Sequence, residues 1–274
     1  MTTKFKHLVT SGCSFSAINQ NCWNVGLGKI LNLPLTNMAV SSAGNSWISK
    51  SAIHAAQNLI EAGLSGEEIL LIVMWSGIDR KETFISSRET SNYKNLLAAP
   101  ETMAINPANF IDSIREISDI DGYLLGTLSC QFGNKKVNDF KRRLIGEFYP
   151  DEALAIESYE NFLRLQWYCV ANNITLINLT YMDLMHYPRY HFADQRDGHP
   201  LTTEFYPRNV APLHRMIDST KWIFWKESGG LYEYTRDNNL PFAADNFHPY
   251  VTTQEYYART FLLPALKERF TGII

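Results

Sequence analysis

Three residues of this chain have the types and spacing of a nucleophilic relay. The stretch His7-Leu8-Val9-Thr10-Ser11-Gly12-Cys13-Ser14-Phe15-Ser16 is a short apolar run that ends in Ser-Gly-Cys-Ser. It predicts a β-strand leading into a tight turn, with Ser14 at the strand's carboxyl end, the edge where open α/β sheets bind ligands. Gly12 lets the backbone turn sharply beside the hydroxyl. Near the other end stands Asp245-Asn246-Phe247-His248-Pro249. A serine hydroxyl needs a base to take its proton, and a histidine base needs an acceptor on its other ring nitrogen to fix its tautomer. Asp245 and His248, in one loop, supply both. Each piece alone also has an ordinary reading: Ser and Gly are common turn residues, and Asp-x-x-His can be a helix-capping Asp with an incidental His.

The elements that must position these residues follow the βαβ rhythm. Residues 22–31 predict a short helix interrupted by glycines, and 33–40 a short strand that ends in the small-residue loop 41–46. From Trp47 to Ala62 the spacing of Ile48, Ala52, Ala55 and Leu59 is helical, with Asn45 or Ser46 as N-cap and Gly63 as the stop. Ile69–Trp75 is apolar throughout, as a central parallel strand covered on both faces should be. It too ends in a polar loop, 76–82. Further on, helical patterns cover about 108–119 and 151–172, with strands at 123–128 and 174–179. A closing helix runs from about 252 to 270, interrupted at Pro264. The expectation is one α/β domain: a doubly wound, mostly parallel sheet with helices on both faces. Segments 83–107 and 181–244 read as insertions forming a long cap, with short helices at 208–218 and 219–226.

Composition narrows the class. The 274 residues are 45% hydrophobic and 19% charged, with a formal net charge of −3. No basic block marks a nucleic-acid surface. No apolar stretch is long enough for a membrane span, and the residues before the first strand carry no apolar signal region, so the expectation is a soluble, cytoplasmic protein. Cys13, Cys22, Cys130 and Cys169 form no metal-like pattern and read as reduced thiols.

The combination resembles the SGNH (GDSL-type) hydrolase family over residues 6–16, 35–48, 69–82 and 245–262. Gly12-Cys13-Ser14-Phe15 matches the Gly-Asp-Ser-Leu block, and Asp245 and His248 match the family's Asp-x-x-His. The resemblance implies a three-layer, flavodoxin-like fold and a catalytic triad of Ser14, His248 and Asp245. It implies an oxyanion hole from the backbone N–H of Ser14 and of Gly44, with Ser42 or Ala43 as alternatives in a loop longer than usual. The family's third block is Gly-x-Asn-Asp, whose Asn side chain donates to the oxyanion. Here Gly77-Ile78-Asp79-Arg80 puts Asp79 in that place, and an ionised Asp only accepts. Asn45 could supply the missing donor, or Arg80, oriented by Asp79 and Glu82, could swing in. Arg80 could instead bind an anionic substrate group within a substrate-binding set of Asp79, Arg80 and Glu82. A surface ion network is the plain alternative for those three.

The activity so implied is hydrolysis of an acetyl or short acyl ester, on a small molecule or a glycan, without cofactor, nucleic acid or membrane. The alternatives are acyl transfer by the same triad, and a degenerate member that only binds a glycan or a partner protein. The Ser-Gly-Cys-Ser-Phe start looks like that of phage-encoded members, which would allow association with a virion. Two other clusters carry weaker signals. Asp183, His186, His191, Asp194, Asp197 and His199 are metal-ligand types without a compact ligand spacing, and a cap loop is the preferred reading. Trp222, Trp225, Tyr232 and Tyr234 could stack on sugar rings, but the core beneath a long loop is the preferred reading.

Overall fold

The computed structural model describes residues 4–17, 22–41, 43–78, 80–84, 123–127, 151–184 and 210–271. Its centre is a four-stranded, all-parallel sheet of β1 (His7–Gly12), β2 (Leu35–Asn37), β3 (Ile69–Trp75) and β6 (Thr175–Thr180), in the order β2-β1-β3-β6. The predicted α/β architecture holds. Every residue of β3 is buried, as its continuous apolar run requires when helices cover both faces. On one face lie α1 (Trp23–Leu31), α6 (Val251–Tyr257) and α7 (Leu263–Arg269); on the other lie α2 (Asn45–Glu61), α3 (Asp151–Ala171) and α4 (Val210–Arg215). The helix α5 (Leu231–Asp237) packs beside α6. No described helix is long and apolar enough to cross a membrane.

Several elements depart from expectation for identifiable reasons. β4 (Arg80–Phe84) forms in what reads as a polar loop, because it pairs antiparallel with β5 (Tyr123–Thr127). The N-cap of α2 is Gly44, and Asn45 is already inside the helix. The closing helix is not broken at Pro264: a π-helical turn, Ala258–Leu262, joins α6 to α7. That wider turn accommodates the proline ring, which in a regular helix would clash with the carbonyl four residues back. In the predicted cap, α5 was not expected, and where helices were predicted at 208–218 and 219–226 the described residues hold the shorter α4 and a 3₁₀ turn at Ser219–Lys221. The helix at 108–119 and most of 83–107 lie outside the described residues.

The aromatic residues at 222–234 belong to the interior. Trp222 and Tyr234 are buried, and Trp225 and Tyr232 are partly buried against the core. Trp222 stacks on Phe224 at 5.5 Å, and Trp225 meets Tyr234 edge-on at 4.9 Å. Burial of Trp222 and Tyr234 removes them as sugar platforms. Cys13 and Cys169 are buried free thiols, and the buried Cys22 thiol donates to the Ala17 carbonyl at 3.4 Å. Cys130 lies outside the described residues.

Candidate active site

The turn that carries Ser14 is fixed from below. The N–H groups of Ser16 and Ala17 both donate to the Cys13 carbonyl, at 2.8 and 2.9 Å. The Ser16 carbonyl accepts from the side-chain amides of Asn24 (3.0 Å) and Asn37 (3.1 Å), and its hydroxyl accepts the Trp23 indole N–H at 3.0 Å. Thr10 joins the same network, donating to Asn37 Oδ1 at 3.0 Å and accepting from Asn24 at 3.2 Å. Position 12 must be glycine, because a Cβ there would sit 2.5 Å from Ser16 Oγ and 2.8 Å from Ser16 Cβ. Ser14 is thereby held half-buried, and its backbone N–H donates to no described residue.

Asp245 and His248 sit on a short hairpin before α6. Its legs pair at Phe242 and Pro249. The Ala243 N–H donates to the His248 carbonyl at 2.7 Å, and the Tyr250 N–H to the Pro241 carbonyl at 3.0 Å. Asn246 takes the left-handed conformation at the bend (φ 56°), which Asn tolerates better than most residues. One carboxylate oxygen of Asp245 accepts the N–H groups of Phe247 (3.0 Å) and His248 (2.9 Å). The other accepts from His248 Nδ1. Burial pushes the Asp245 carboxyl up, but the imidazole and the two backbone donors outweigh it and hold the group below its ordinary value.

The two ends of the chain meet here. His248 Nε2 lies 2.7 Å from Ser14 Oγ. A carboxylate only accepts, so Nδ1 carries the ring proton and Nε2 presents its lone pair to the hydroxyl. The imidazole rests on Phe15, which is fully buried, with ring centroids 4.9 Å apart. Phe15 also meets Tyr181 at 5.0 Å and Phe247 at 5.2 Å. The His248 and Asp245 side chains remain 32% and 48% exposed, so water reaches the pair.

The remaining expected site residues separate into three groups. Gly44 stands at the N-terminus of α2 in an extended conformation. Asn45 is 3% exposed, and both of its side-chain N–H groups are taken, one by the Ser76 carbonyl and one by Ser158 Oγ, each at 3.0 Å. It therefore has no donor left for an oxyanion, which corrects the expectation that its side chain fills that role. The Arg80 guanidinium lies over the Tyr181 ring at 5.3 Å, Glu82 lies on β4, and Asp79 is outside the described residues. Ser42 is outside them too, and the Ala43 N–H is used by the Val40 carbonyl at 3.1 Å. Of the His/Asp patch only Asp183 is described, and it accepts from Ser228 at 2.6 Å.

Sequence reasoning missed the support beneath Ser14. Asn24 and Asn37 are polar residues at positions that the fold buries or half-buries, as is Ser158, which holds Asn45 instead. Asn24 beside Trp23, in a helix whose only other polar residue is Lys29, was the available signal. No family model matches the chain, and no curated protein matches it.

Proposed function

We propose that this protein is a serine ester hydrolase that works through an acyl-enzyme. The observation that carries the reading is the continuous relay from the Asp245 carboxylate through His248 to Ser14 Oγ, closed by the 2.7 Å contact. A free serine hydroxyl has no comparable activation.

In this mechanism His248 Nε2 removes the Ser14 proton as Oγ attacks the ester carbonyl. Asp245 stabilises the imidazolium that forms. The negative oxygen of the tetrahedral intermediate faces the Ser14 N–H and the N–H of Gly44. Collapse breaks the bond to the alcohol, which leaves with the proton from His248. Water then attacks the acyl-serine, with His248 again as base, and releases the acid. The partial exposure of His248 and Asp245 favours water over a second alcohol as acceptor, and so hydrolysis over transfer. The substrate class is a short acyl ester.

The test is labelling by a fluorophosphonate probe, comparing the native chain with Ser14→Ala and His248→Ala, beside turnover of p-nitrophenyl acetate. Labelling and turnover that require both residues are expected. A folded native chain that neither labels nor turns over the ester overturns the reading and leaves a binding protein in its place.

A further inference from the structure

We infer that Asn45 is a positioning residue for the oxyanion hole, holding the Gly44 loop in register with the nucleophile turn. The inference rests on the ester-hydrolase reading.

β1 and β3 pair rung by rung as far as Gly12 beside Met74. Beyond that rung β1 folds away into the Cys13–Ala17 turn, while β3 continues through Trp75 to Ser76. Backbone groups along a strand alternate sides. The Trp75 carbonyl accepts the Tyr181 N–H at 3.3 Å, on the side of β6. The N–H and carbonyl of Ser76 therefore face the side that β1 has just vacated, where they would be buried without partners.

The side-chain amide of Asn45 takes that vacant rung. Its Oδ1 accepts the Ser76 N–H at 2.9 Å, and its Nδ2 donates to the Ser76 carbonyl at 3.0 Å. The second N–H of the same amide donates to Ser158 Oγ on α3 at 3.0 Å. Asn45, Ser76 and Ser158 are all buried. A primary amide that meets both groups of one residue reproduces the hydrogen bonding of a neighbouring strand, which no other side chain of that length except an acid could approach, and an acid lacks the donors.

The consequence falls on Gly44, the residue before Asn45. On its other flank the Val40 N–H donates to the Gly12 carbonyl at 3.0 Å, two residues before Ser14, and the Ala43 N–H donates to the Val40 carbonyl at 3.1 Å. The loop is thus fastened to β1 at one end and to β3 at the other, with Gly44 between the two fastenings. Asn45 holds the rim of the hole without touching the reacting atoms. An oxyanion exists only in the transition state and the tetrahedral intermediate, so loosening the rim slows the reaction without weakening substrate binding.

The experiment measures kcat, KM and the pH midpoint with p-nitrophenyl acetate for the native chain, Asn45→Ala and Ser158→Ala at low temperature. Rates are referred to the folded fraction seen by circular dichroism. For Asn45→Ala the expected result is a kcat lower by about 10- to 100-fold, with KM and the pH midpoint close to native. For Ser158→Ala, which leaves the Ser76 rung intact, a smaller loss of about 3- to 10-fold in kcat is expected. A purely structural Asn45 would lower the melting temperature and leave kcat per folded molecule unchanged, and that result overturns the inference. Should Asn45→Ala fail to fold, native kcat in Ser158→Ala overturns it. A native chain without Ser14-dependent turnover overturns the hydrolase reading and the inference together, whereas an active native chain indifferent to both substitutions overturns the inference alone.

Discussion

His248 Nε2 and Ser14 Oγ stand 2.7 Å apart although 234 positions separate the two residues. Each comes from a short segment made rigid by its own hydrogen bonds: the turn tied down by Asn24, Asn37 and Trp23, and the hairpin closed by Asp245 and Pro241. Such support, rather than the presence of the three residue types, makes a preorganised relay.

The relay makes Asp245→Asn an informative substitution. The amide can still accept backbone N–H groups through its oxygen, so the hairpin should keep its shape. Its NH₂ would face His248 Nδ1 and favour the tautomer with the proton on Nε2, which cannot accept from Ser14. Fluorophosphonate labelling should slow by about 100-fold or more in a chain that melts within a few degrees of native. Labelling at the native rate would mean that solvent, which reaches this half-exposed carboxylate, does its work.

Phe15 should matter twice. It is fully buried, and its ring lies against His248, Phe247 and Tyr181 at once. Phe15→Ala should cost about 3–5 kcal/mol in urea unfolding. It should also slow labelling per folded molecule, because the imidazole loses the surface it rests on. Phe15→Leu, closer in volume, should recover most of the stability and part of the rate. Equal labelling by all three forms would reduce Phe15 to a core residue.

How much of this was legible in the sequence depends on where each partner sits. β3 was legible because seven consecutive apolar residues, Ile69–Trp75, admit few other readings in a chain with this rhythm. Ser14, Asp245 and His248 were legible because their chemistry constrains residue type and spacing together. Asn45 was visible as a polar residue in the right loop, but its role depends on Ser76 and Ser158, which are 31 and 113 positions away. β4 was hidden because Arg80-Lys81-Glu82-Thr83 carries no apolar alternation, and its strand identity comes from pairing with Tyr123–Thr127. The aromatic residues at 222–234 favoured a core beneath a long loop by residue type, but burial by distant elements leaves no local mark, so a sugar platform was not excluded until the structure buried Trp222 and Tyr234.

Gly230 is a position where the backbone itself is the constraint. A Cβ there would lie 2.2 Å from the Thr180 carbonyl and 2.6 Å from the Met182 N–H, neither of which can move without shifting the end of β6. Gly230→Ala should cost about 1–3 kcal/mol, a loss of about 2–4 °C in melting temperature for each kcal/mol. The same shift would reach Tyr181, which packs on Phe15. A native melting curve for Gly230→Ala would show that the Thr180–Met182 segment yields freely.

Asp237 should give the fold a measurable dependence on acid. Its carboxylate accepts from Trp225 Nε1 at 3.0 Å, from Lys226 at 2.6 Å and from Arg236 at 3.0 and 2.9 Å, and its side chain is 17% exposed. Burial pushes its pKa up, but these donors outweigh burial and bring it from an ordinary 3.8 to about 2. A carboxyl depressed in the folded state binds its proton more readily in the unfolded chain. Its stabilisation is therefore complete above the unfolded value and is lost as the pH falls through the folded one. At neutral pH, Asp237→Asn should cost about 1–2 kcal/mol in urea unfolding. The gap between native and variant should close as the pH falls from about 4 to about 2. A gap that stays the same across that range would assign the stabilisation to packing and neutral hydrogen bonds rather than to the charge.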